Sequence, residues 1–80
     1  MPRFYFHMED GDTLLDETGA ELRDIAAAKD EALQTSAHVL KDGLRAGAAL
    51  WNGMPWQMWV TDKPNGEGKI FFTLRLSGET

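Results

Sequence analysis

The stretch RFYFHMEDGD, residues 3–12, decides how this chain is read. As chemistry, His7, Glu9, Asp10 and Asp12 crowd a histidine and three carboxylates together. As architecture, an aromatic strand runs into Asp10-Gly11, a pair suited to the positive φ angles of a two-residue hairpin turn. The chemical reading fails on spacing. An EF-hand calcium loop counted from Asp10 places Leu14 where a ligand oxygen is required and its glycine too early. Zinc wants several His or Cys, whereas the chain has two His and no Cys. Asp10, Asp12, Asp16 and Glu17 therefore read as solvated turn residues whose side chains bond nearby main chain. No metal and no cofactor are expected.

Working outward, Thr13 to Asp16 is a short returning strand, DETG (16–19) a turn, and Ala20 to Leu22 a brief extended piece. Asp24 can accept from the free N–H groups of a helix start, and an alanine-rich stretch follows without proline until Pro55. A helix is predicted from about Ile25 to Ala46, with Gly47 as its stop. At 100° per residue, Ile25, Ala28, Ala32, Leu33, Ser36, Val39, Leu40, Gly43 and Leu44 share the packed side. Asp30, Glu31, Gln34, His38, Lys41, Asp42 and Arg45 lie opposite. WQMWVTD (56–62) and KIFFTLRL (69–76) then flank a loop of Pro64, Asn65-Gly66 and Gly68 and form a second hairpin. The expected fold is α+β in the order β-β-α-β-β, an antiparallel four-stranded sheet packed on one long helix. Residues 1–80 form a single domain, and the strand order stays open.

Composition narrows the function. Eighty residues bury a small core, and without cysteine no disulfide reinforces it. The net charge is -5 and no basic run occurs, so nucleic acid is disfavoured, since that affinity rests on clustered cations neutralising phosphates. No stretch approaches the roughly 20 apolar residues that span a bilayer. A cytoplasmic protein without membrane contact is expected.

MPRFYFH at the N-terminus, Asp10-Gly11, and DETGAELRDIAAAKDEA from Asp16 to Ala32 resemble an uncharacterised family of short bacterial proteins, a domain of unknown function. Its pattern runs M-P-R-[FY]-[FY]-F-[HD], D-G, D-x-x-G-x-E-L-x-D and a helix. The likeness covers nearly the whole chain. It departs in the C-terminal half, where Trp51, Trp56, Trp59 and a long KPNGEG loop stand. The resemblance implies the boundaries and the fold and supplies no catalytic residue. A narrower likeness, over Leu22 to Ala32, is to HicB-type antitoxins, and it would imply a small dimer binding an RNA-cleaving toxin.

Catalysis is not expected. Ser36 lies on the packed helix face and Ser77 near the chain end, neither in a nucleophile motif. His38 and Asp42, one turn apart, read as a solvated pair. The informative feature is the sheet's second face. Strand alternation that sends Phe4, Phe6, Met8, Trp56, Met58, Val60, Ile70, Phe72 and Leu74 toward the helix sends Tyr5, His7, Gln57, Trp59, Phe71, Thr73 and Arg75 away. With one helix available, that aromatic face is expected to be open. Tyr5, His7, Trp59, Phe71, Thr73 and Arg75 are the candidate interface, for a homodimer or another protein partner. A regulator or small-molecule-binding domain is the alternative, through ring contacts to an apolar or cationic ligand.

Overall fold

The computed structural model describes residues 1–42, 50, 51, 53 and 55–79. Among the described residues, the strands and the long helix follow in the order β1 (Arg3–Glu9), β2 (Thr13–Leu14), β3 (Ala20–Glu21), α1 (Ile25–Asp42), β4 (Trp56–Thr61) and β5 (Ile70–Leu76), with a 3-10 turn at Pro64–Gly66 before β5. The fold is α+β as expected. The sheet has five strands, not four, because the brief piece at Ala20–Glu21 pairs with β1 as a strand of its own.

All pairings are antiparallel, in the order β2-β1-β4-β5, with β3 also on β1. The N-terminal strand is therefore central. Its aromatic residues meet β4 in the register Phe6↔Val60, His7↔Trp59 and Met8↔Met58. The hairpin after β1 is not a two-residue turn. Glu9 pairs with Thr13, leaving a three-residue loop in which only Gly11 takes a positive φ, 104°.

Asp24 caps α1, its Oδ1 accepting from Ala27 N–H at 2.8 Å. Ala28, Ala32 and Ser36 are buried, and these small side chains let the helix lie close on the sheet. Beneath them are two connected apolar clusters. Phe4, Ala28 and Val60 form one, and Ala32, Trp56 and Met58 the other, with Phe6, Met8, Val39, Leu40, Phe72 and Leu74 packed around them. Ile25 and Leu33, predicted on the packed side, are 43% and 57% exposed, because the buried stripe follows the small residues and leaves both at its flanks. The expected helix continuation to Ala46, with Gly43, Leu44 and the stop at Gly47, lies outside the described residues, as does Asn52 of the Asn52-Gly53 turn.

A β-bulge separates Val60 and Thr61 on β4. Val60 pairs with Phe72, but Thr61 pairs with Ile70, so Phe71 is passed over. One extra residue reverses the alternation beyond it. Ile70, predicted toward the helix, comes out on the other face and is 55% exposed. Phe71, predicted away, turns to the helix side, where its ring meets Phe4 edge-on at 5.4 Å between centroids.

Candidate functional site: a divided second face

The face turned away from α1 is covered over part of its area. The segment from Leu15 to Gly19 and a 3-10 turn at Pro64–Gly66 fold across β1 and β4 and meet, Asn65 N–H donating to the Asp16 carbonyl at 3.0 Å. His7 lies beneath them with no exposed surface. It was expected on an open face. The difference arises because DETG, which reads as a turn, and PNG, which reads as part of a hairpin loop, serve as a lid of main chain.

Among the described residues, no buried side-chain nitrogen or oxygen lacks a hydrogen-bond partner. Asp16 N–H donates to His7 Nδ1 at 3.0 Å. Nδ1 is thus an acceptor, and the ring proton sits on Nε2, which donates to Thr61 Oγ1 at 2.8 Å. The Thr61 hydroxyl donates onward to the Lys63 carbonyl at 2.6 Å. The neutral tautomer is therefore built in. Burial pushes the His7 imidazole below its ordinary value, and the nearby Asp16 carboxylate offsets only part of that.

Asp16 ties the lid to the sheet. Its Oδ2 accepts from Phe6 N–H at 3.1 Å, supplying an acceptor in the gap between β2 and β3, while Oδ1 accepts from Thr18 and Gly19 N–H, both at 3.0 Å. Burial raises its pKa, but the Gly19, Phe6 and Thr18 N–H groups, with His7, more than compensate and hold it below the usual carboxylate range. Gly19, at φ 72°, lies under the Tyr5 ring, and a Cβ there would come within 2.8 Å of that ring. Asp16, read from sequence as a solvated turn residue, is thus a structural hub.

The candidate interface residues consequently divide. Tyr5 packs on Gly19, and His7 is internal. The Trp59 ring lies against His7 at a tilt of 42°, centroids 5.4 Å apart, its indole bordering Gly66. Phe71 belongs to the helix side. Thr73 and Arg75 alone are exposed on the uncovered half, joined there by Ile70. Arg75 Nε donates to Gln57 Oε1 and Gln57 Nε2 to Glu9 Oε2, both at 3.2 Å, so a polar ladder crosses from β5 to β1.

The Ser36 hydroxyl donates to the Ala32 carbonyl at 2.6 Å inside the core. His38 is exposed on α1, and the Asp42 side chain lies outside the described residues. Among the described residues, no group of three or more His, Asp or Glu side chains is placed to hold a metal ion. Among them, too, no helix is long and apolar enough to cross a membrane.

A family model described as Domain of unknown function (DUF6894) matches residues 3–77. The chain belongs to that family. The match runs from β1 through β5, so the C-terminal hairpin, with its Trp residues and KPNGEG loop, is part of the DUF6894 domain despite its departure from the expected pattern. The match does not extend to the HicB-type likeness. No similar curated protein and no similar solved structure is found.

Proposed function

We propose that this DUF6894 domain is a non-enzymatic protein-interaction module that binds through the outer edge of β5. The observation that carries this reading is an edge strand seven residues long, IFFTLRL, with no strand beyond it among the described residues. It contains no proline and one charge, whereas natural edges are ordinarily short, charged or covered. Exposed Ile70 and Leu33 flank it on opposite faces of the sheet. Thr73 and Arg75 of the original aromatic-face set lie on this surface, while Tyr5 and His7 act inside the domain. The non-enzymatic part of the reading is supported by His7, whose two ring nitrogens are both engaged in a buried network.

A photo-crosslinking residue placed at Thr73 tests the reading in native host cells. A discrete protein adduct is expected from Thr73, lost in Leu33→Glu, and none from the same group at exposed Glu31. Absence of any adduct at Thr73 would overturn it.

A further inference from the structure

We infer that the β5 edge takes an extended segment of another protein, alternating apolar and acidic residues, as an added strand of the sheet. This rests on the interaction reading above and names its partner chemistry. A strand added to an edge gains main-chain hydrogen bonds and sends alternate side chains to opposite faces. The domain has a recess on each of those faces. On the helix side, a groove of about 310 Å³ lies between α1 and β5, bounded by Ala32, Leu33, Phe72 and Leu74, with Lys29 at its margin. On the opposite side, a recess of about 230 Å³ is bounded by Gln57, Trp59, Ile70 and Arg75. Thr73 borders both, as a residue in the middle of the edge strand must.

Charge selects the occupant. The chain as a whole carries -5, yet β5 has no carboxylate, and Lys29, Lys69 and Arg75 stand beside it against the carboxylates of Glu9 and Asp62. Arg75 is exposed on one face. Lys69 and Lys29 stand over the Phe71 and Phe72 rings, 5.7 and 5.9 Å from their centroids. Glu9, the carboxylate of the second recess, stands on β1, two strands in from the β5 edge. A second copy of β5 would add its own Lys69 and Arg75 and no carboxylate, whereas an acidic strand places carboxylates beside Arg75 and apolar side chains in the α1 groove.

The test is fluorescence anisotropy with a labelled, end-blocked peptide as long as β5, alternating valine and glutamate, against its valine–lysine counterpart and a version with a central proline. The glutamate peptide is expected to bind at least tenfold more tightly than either, and to weaken as salt rises. The double variant Lys69→Glu/Arg75→Glu should reverse the preference toward lysine, while Lys41→Glu leaves it unchanged. Circular dichroism checks that each variant is folded. Equal binding of the two charged peptides, or tolerance of the central proline, would overturn the inference. If the Thr73 crosslink forms but joins two copies of this chain, the interaction reading stands and the acidic-strand partner falls.

Discussion

The two halves of the face turned away from α1 use similar residue types to opposite ends. Over β1 and β4, the lid from Leu15 to Gly19 and the turn at Pro64–Gly66 close on His7, and a chain of hydrogen bonds runs from Asp16 through His7 and Thr61 to Lys63. Over β5, no such lid is present among the described residues, and Ile70, Thr73 and Arg75 face outward. A small domain has limited apolar area to bury. Here part of the sheet is consolidated by a polar network, and the remaining edge is the part we propose for association.

That contrast is broken most severely at Asp16. Asp16→Ala removes the acceptor of three main-chain N–H groups and should cost about 3 kcal/mol in chemical denaturation, since lost hydrogen bonds to a charged group are among the more expensive. His7→Leu keeps much of the volume but leaves Asp16 N–H without its acceptor and Thr61 Oγ1 without the donor it accepts from. A loss of about 2 kcal/mol is expected in chemical denaturation. Gly19→Ala should lose a similar amount, about 2 kcal/mol, because the residue sits at positive φ beneath Tyr5.

Acid should act on the covered half through the same groups. His7 has a folded pKa below 6.5, so below that pH the unfolded chain binds more protons and stability falls until the folded imidazole also titrates. Asp16, depressed from 3.8, adds stability that is present above that value and lost as pH falls through its folded pKa. Denaturant midpoints should therefore decline as pH drops below 6.5, and the upper part of that decline should vanish in His7→Leu. The smallest effects belong to the open half. Thr73→Ala, Arg75→Ala and Leu33→Ala should each change stability by no more than about 0.5 kcal/mol.

Much of the frame was legible from residues alone. Alternation in RFYFHM and WQMWV put Phe4, Trp56, Met58 and Val60 in the core, and the Asp24 cap and small-residue stripe located α1. Two features escaped. A bulge leaves no necessary mark in IFFTLRL, yet it exchanged the faces of Ile70 and Phe71. The lid escaped because its partners are far apart in sequence: Asn65 reaches the Asp16 carbonyl, and His7 reaches Thr61. DETG and PNG announce turns without saying what those turns will cover. The nearest available signal was His7 itself, a polar side chain in a central strand that requires partners if it is buried.

The division of this face is tested most directly by recording amide shifts of the nitrogen-15-labelled domain while the valine–glutamate peptide is added. Perturbations concentrated at Ile70 to Leu76, Lys29 and Leu33, with His7, Asp16 and Thr61 unmoved, are the predicted result. Shifts centred on His7 and Asp16, or none along β5 at saturating peptide, would contradict it.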